Sequence, residues 1–208
     1  MTRIKICGTR RMADVEVYNT LGVDYAGFIF AKSPRRVSAD EAKAMIAQLD
    51  GVCPVGVFVN ASVEEICRTA ELCRLRVIQL HGDENADFAN SIKRRTGLEI
   101  WRAVRIKDKS PAEFIASYPA DRFLLDTYCK GYGGSGKSFD WSLTAGLDMS
   151  KIILAGGLSA DNAAEAAALG AYALDLNSGV ETDGYKDKNK LAAAVEKIRA
   201  ANEASGKD

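Results

Sequence analysis

The chain has 208 residues, 47% of them hydrophobic, which is enough to bury one sizeable core. Lys plus Arg and Asp plus Glu balance at 28 each, so no overall field gathers nucleic acid or an anionic membrane, and only a local anion pocket remains open. The five cysteines, an odd number with no C-x-x-C, fit neither a disulfide framework nor a Cys-rich zinc site, and the single histidine, His81, excludes multi-histidine metal sites.

The chain opens on a strand-like run, Ile4 to Cys7. That run is too short for a signal peptide, and no later stretch approaches the roughly 20 apolar residues of a membrane span, so a cytoplasmic protein with no membrane partner is expected. Gly22 marks a helix stop before the second run, Tyr25 to Phe30. Ser38-Ala-Asp-Glu41 is a capping-box pattern, and a second, Ser62-Val-Glu-Glu65, follows the third run, Val55 to Val59. Val77 to His81 and Ile100 to Arg105 are the fourth and fifth runs, and Ser110-Pro111-Ala-Glu113 sets a proline at the first position of the next helix. Phe123 to Asp126 is the sixth; Asp140 to Gly146 offers only a short, poorly formed helix before the seventh, Ile152 to Ala155. Gly170 stops another helix, and Ala173 to Asn177 is the eighth run. No Pro- or Ser-rich linker divides the chain, so residues 1–208 are expected to form a single domain.

Strict alternation of strand and helix forces parallel strands, because each helix carries the chain back before the next strand begins. Eight repeats close most naturally into a (β/α)8 TIM barrel. The alternative is an open doubly wound sheet, which would carry its glycine fingerprint directly after the first strand, where this chain has Cys7-Gly8-Thr9. The chain would make a compact barrel beside the ~250 residues typical of the class.

Active sites of such barrels lie at the C-terminal ends of the strands. The residues there are Cys7, Arg35 with Arg36, Asn60, His81, Arg105, Asp126, Gly156-Gly157 and Ser178-Gly179. The two glycine-bearing loops follow strands seven and eight, where many barrels hold a phosphate. Leu154-Ala-Gly-Gly-Leu-Ser159 frees backbone amides, and Asn177-Ser-Gly-Val-Glu181 opens a short extra helix toward the same anion. Either loop alone is also explained by a tight turn; together they point to a small phosphorylated substrate. Cys7 is a reactive thiol or a small buried hydrophobe, and Lys5, two residues earlier on the same strand face, either favours its thiolate or forms an internal ion pair with Asp126 or Asp175. Asp126 ends the apolar run Phe123-Leu-Leu, a setting that favours a protonated, acid-acting carboxyl; a helix cap or an ion pair is the other reading. Arg35 and Arg36 grip a carboxylate or are a solvated pair. His81 is a hydrogen-bond donor in the site or a satisfied internal histidine.

One motif points elsewhere. Gly131-Tyr-Gly-Gly-Ser-Gly136-Lys137-Ser138 matches the phosphate-cradling P-loop, and Ala173-Leu-Asp175 imitates its acidic partner strand. A P-loop needs its strand to run straight into the first glycine and a helix to begin at the lysine. Here Thr127-Tyr-Cys-Lys130 intervenes and the following helix is poor. In the barrel reading the same glycines form a mobile loop after strand six.

The full run of motifs resembles the phosphoribosylanthranilate isomerase family from end to end. The resemblance is carried by Lys5-Ile-Cys-Gly8, Gly27-Phe-Ile-Phe30 with Ser33-Pro-Arg35, Val55-Gly-Val-Phe-Val-Asn60, Gln79-Leu-His-Gly82 and Leu125-Asp-Thr127. It continues through Gly133-Gly-Ser-Gly136 with Phe139-Asp-Trp141, Ala155-Gly-Gly-Leu158 with Asn162, and Asp175 through Ser178-Gly-Val-Glu181. It implies a single (β/α)8 barrel working without metal or cofactor. It also implies a general base at Cys7, a general acid at Asp126, an anthranilate-gripping arginine at Arg35, and phosphate loops at Gly156-Gly157 and Ser178-Gly179. Two departures stand out: Thr9 replaces a residue that is usually aliphatic, and Asp183-Gly184 replaces the family's Pro-Gly. The implied reaction is the Amadori rearrangement of N-(5′-phosphoribosyl)anthranilate to 1-(2-carboxyphenylamino)-1-deoxyribulose 5-phosphate in tryptophan biosynthesis, by a monomer or homodimer. The rival readings are a P-loop NTPase and a non-catalytic phosphoribosyl-binding barrel.

Overall fold

A computed structural model describes residues 1–107, 110–127 and 140–206. Cys129 and the P-loop-like segment Gly131 to Ser138, expected to be a mobile loop, lie outside the described residues. Eight parallel strands follow one another in sequence order around a closed barrel, as the alternation predicts. They are β1 (Arg3–Cys7), β2 (Tyr25–Ile29), β3 (Cys53–Phe58), β4 (Val77–Leu80), β5 (Glu99–Ile106), β6 (Arg122–Thr127), β7 (Ile152–Leu154) and β8 (Ala173–Leu176). A two-stranded hairpin, β9 (Glu181–Thr182) with β10 (Tyr185–Lys186), follows the eighth. The helices are α1 (Met12–Leu21), α2 (Ala39–Ile46), α3 (Val63–Cys73), α4 (Ala86–Thr96), α5 (Ala112–Ser117), α6 (Ala163–Ala168) and α7 (Lys188–Ala204). None is long and apolar enough to cross a membrane among the described residues.

The chain groups into two compact units, one of Cys7–Ala103 with Tyr118–Arg122, the other of Met1–Ile6, Val104–Ser117 and Phe123–Asp208. In the first, β2 to β5 pair in register through Gly27, Val55, Val77 and Glu99. The Val and Ile side chains of β3 and β4 are buried on both faces, as parallel strands under helices require. The capping box expected at Ser38 is complete: Ser38 Oγ accepts from Glu41 N, and the Glu41 carboxylate accepts from Ser38 N at 2.7 Å. At Ser62 only half of the expected box forms, with Ser62 Oγ accepting from Glu65 N at 3.1 Å. Gly22 ends α1 in the left-handed conformation, its N–H donating to Tyr18 O.

In the second unit the ladder runs through Leu124, Ile153, Ala173 and Arg3 across β6, β7, β8 and β1. Pro111 stands one position earlier than expected: its carbonyl accepts from Ile115 N and α5 begins at Ala112. Gly170 closes α6 at φ +71°. Asp140 to Gly146 makes a single 3₁₀ turn, Trp141–Thr144, in keeping with its weak helical pattern. At the end of α7, Asn202 accepts from Thr2 N at 2.8 Å and donates to Thr2 O at 3.0 Å, tying the last helix to the first strand.

Candidate active site

In the unit that begins at Cys7, that thiol closes β1 and is 5% exposed. The chain then turns at Gly8, φ +81°, and both Gly8 N and Thr9 N donate to Gly27 O on β2, so the strand continues as a held loop. Thr9, the polar departure, is fully buried and its hydroxyl lies 3.4 Å from that of Tyr18, also fully buried; burial drives the Tyr18 phenol far above its ordinary range. Thr9 therefore satisfies a buried hydroxyl where an aliphatic residue would leave it bare. Beyond β2, Arg10 donates to Pro34 O at 2.9 Å and Arg35 N donates to Ser33 Oγ at 3.1 Å, which ties the first loop to the one that carries Arg35. Arg35 is half-buried while its neighbour Arg36 is exposed.

His81 stands one residue past β4, its N–H donating to Phe58 O at 2.8 Å. Gln79 Nε2 lies 2.9 Å from His81 Nδ1. With the Gln79 amide placed this way its nitrogen donates and Nδ1 accepts, the arrangement of a neutral ring protonated at Nε2. Gln79 is fully buried and its Oε1 has no hydrogen-bond partner. Two loops beside it are clamped by Glu84, whose carboxylate accepts from Asn60 N at 2.8 Å and Gly82 N at 2.9 Å and pairs with Arg102 at 2.8 Å. The Glu84–Arg102 pair is buried, and Tyr118 donates to Glu84 O at 3.1 Å. Sequence reasoning singled out none of Gln79, Glu84 and Arg102 as site residues. Gln79 and Arg102 carried a signal, a polar residue inside the predicted strand runs Val77 to His81 and Ile100 to Arg105; Glu84, in the loop that follows Gly82, carried none.

In the other unit, Asp126 is the penultimate residue of β6 and half-buried. The β7 loop presses against it: a Cβ at Gly156, where φ is +82°, would fall 2.8 Å from Asp126 Oδ1 and 2.3 Å from Thr127 Oγ1. Glycine is thus demanded twice, by backbone angle and by space. Ser178–Val180 forms the short extra helix expected after β8, as a 3₁₀ turn. A Cβ at Gly179 would lie 2.0 Å from Leu158 O, so the two glycine loops are packed backbone to backbone. Asn162 fixes the β7 loop by accepting from Ser159 N at 2.9 Å and donating to Gly157 O at 3.0 Å. Among the described residues the backbone N–H groups of Gly156, Gly157, Ser178 and Gly179 donate to no protein acceptor. Such a row of unpaired donors is the material of an oxyanion site.

Lys5 pairs with Asp175, 2.8 Å away and opposite it in the β1–β8 register, with side-chain exposures of 0% and 7%. Of the two acids named for it, the structure gives this one. Cys7, Arg35 and His81 thus fall in one unit, and Asp126, Gly156, Gly157, Ser178 and Gly179 in the other. Each stands at, or a short step beyond, the C-terminal end of a strand, except Arg35, which lies further along the loop after β2.

Residues 4–197 match the model of the N-(5′-phosphoribosyl)anthranilate isomerase family. The chain is 44% identical over 203 residues to an N-(5′-phosphoribosyl)anthranilate isomerase of Thermoanaerobacter pseudethanolicus, covering 96% of this chain and 98% of the relative. It is similar to the crystal structure of phosphoribosyl anthranilate isomerase from Thermotoga maritima, with a TM-score of 0.87 at 34% identity and 96% and 100% of the two chains covered. A further similar structure, with a TM-score of 0.84 at 31% identity and the same coverage, is a phosphoribosyl anthranilate isomerase in complex with reduced 1-(o-carboxyphenylamino)-1-deoxyribulose 5-phosphate.

Proposed function

Since the chain belongs to the N-(5′-phosphoribosyl)anthranilate isomerase family, we propose that Cys7 is its general base and Asp126 its general acid. The activity is the isomerisation of phosphoribosylanthranilate in tryptophan biosynthesis, an intramolecular aldose–ketose conversion. In the reading proposed, Asp126 protonates the furanose ring oxygen, the ring opens, and the nitrogen lone pair gives a Schiff-base cation. That cation acidifies the C2′ proton, which the Cys7 thiolate removes to leave an enolamine. The enolamine tautomerises to the ketone; one proton has been given and one taken, and no redox partner is needed.

The phosphate end belongs on the amides of Gly156, Gly157, Ser178 and Gly179, and the anthranilate carboxylate on Arg35, with His81 donating from Nε2. The observation that carries this reading is the row of unpaired N–H groups on two mutually packed glycine loops, one of which presses on Asp126. We read the whole chain as one cytoplasmic domain, a monomer or homodimer, acting on a small phosphorylated substrate without nucleic acid, membrane, metal or cofactor. The test is to mix the protein with freshly generated phosphoribosylanthranilate and follow the loss of its fluorescence, with and without EDTA. Rapid loss in both is expected; no loss above the spontaneous rate, or activity that chelation abolishes and a divalent ion restores, would overturn the reading.

A further inference from the structure

The hairpin after β8 carries a buried cation that touches the anion turn from behind. Asp183, φ +51°, and Gly184, φ +76°, form a tight two-residue turn that sets Lys186 opposite Glu181 in register. Lys186 Nζ then donates to Glu181 Oε1 at 2.8 Å, Asn177 Oδ1 at 2.9 Å and Asn177 O at 3.1 Å, with side-chain exposures of 1% for Lys186 and 5% for Glu181. The surrounding backbone is held as well: Lys190 Nζ donates to Glu181 O at 2.7 Å, and Asp187 N to Val180 O at 2.9 Å. Asn177 itself has φ −136° and ψ −97°, outside the ordinary helical and strand regions. The ammonium bonds both its carbonyl and its side chain.

The consequence follows from the planarity of the peptide. Asn177 O and Ser178 N–H belong to one trans unit and point in opposite directions. Anchoring the carbonyl on Lys186 therefore aims the Ser178 N–H away from the ammonium, and Gly179 follows one residue on. We infer that Lys186 is a positioning residue for phosphate recognition: with Glu181 and Asn177 it fixes the direction of the Ser178 and Gly179 amides without touching substrate. This rests on the reading of those amides as the phosphate site.

Two variants test it. Lys186→Met removes the anchor and takes from Glu181 its buried lysine, which threatens the fold; Lys186→Met/Glu181→Gln removes both charges together and keeps the volume. Folding is checked by circular dichroism and melting temperature, and the readouts are kcat, KM and competitive inhibition by inorganic phosphate. Loss of an anchoring charged hydrogen bond should raise KM and the phosphate inhibition constant together, by about tenfold or more in the double variant, while kcat stays within about threefold. A folded double variant with both constants unchanged, or one that loses kcat alone, would overturn the inference. Gly179→Val separates the premise from the conclusion. If that change leaves KM and phosphate inhibition as in the wild type, the phosphate reading itself falls, and the inference with it.

Discussion

Cys7 illustrates why residue type alone is a poor guide and position a better one. A thiol 5% exposed is unremarkable as packing, yet this one ends a barrel strand, and the loop beyond it is held by two amides on a single carbonyl, Gly27 O. Proton abstraction from carbon requires a base held in place, which is why the position bears on the proposed role. If Cys7 and Asp126 each serve one proton transfer, Cys7→Ser and Asp126→Asn should each lower kcat by on the order of 10²–10⁴ while inorganic phosphate inhibits as before. Serine keeps the size and loses the ionisable thiol, so it separates chemistry from packing. Steady-state turnover near that of the wild type in Cys7→Ser would return the thiol to a purely structural role. The candidate pair was legible in the sequence because strand ends can be counted. Glu84, which accepts from Asn60 N and Gly82 N, was not, since a buried loop Glu looks like any other until its partners are seen, and for Gln79 the sequence marked a polar residue inside a strand but not its partner His81.

At the scale of elements, local signals translated into structure where they are complete within a few residues. Ser38 caps α2 with its full box, Gly22 and Gly170 close their helices, and the glycine loop after β7 sits where the strand count placed it. The β9–β10 hairpin escaped notice because its strands are two residues each, although Asp183-Gly184 is a strong turn signal. The glycines differ in what they are for. At Gly51, φ +69°, an added Cβ would meet nothing within 4 Å; at Gly156 it would collide with Thr127 and Asp126. Gly51→Ala should therefore show backbone strain alone, about 1 kcal/mol, with activity unaltered. Gly156→Ala adds a steric collision and should cost about 2 kcal/mol or more, with kcat/KM reduced at least about tenfold. Denaturant melts and steady-state kinetics on the pair decide this; equal, small losses of stability with unaltered kcat/KM would detach Gly156 from Asp126.

For the whole molecule the question is whether two compact units make one cooperative fold. Three of their four dividing points, after Ile6, after Ala103 and after Arg122, fall inside β1, β5 and β6, and the fourth, after Ser117, falls at the end of α5. Independent domains are instead joined by exposed linkers crossed by few contacts. One unfolding transition is therefore expected. The two tryptophans allow a direct check, because Trp101 belongs to one unit and Trp141 to the other. In the single-tryptophan variants Trp141→Phe and Trp101→Phe, urea unfolding followed by fluorescence should have the same midpoint as circular dichroism, each corrected for the stability of its variant. Midpoints that separate by probe would show two folding units and count against the single domain.

The sequence by itself determined the alternation of strands and helices, the strand boundaries to within two residues, the parallel barrel, and which residues stand as candidates at the strand ends. Each of these is written in a window of a few residues, where side-chain period, caps and glycine stops act on the adjacent backbone. Tertiary structure alone decided which charges meet. It gave Lys5 to Asp175, 170 residues away, and Arg102 to Glu84; it packed Gly179 on Leu158 O and set Lys186 behind Asn177. Partner choice among buried charges depends on which strands become neighbours and in what register, and on the cost of leaving any one of them unpaired once water is gone. No local pattern carries that information, because it exists only when the barrel closes.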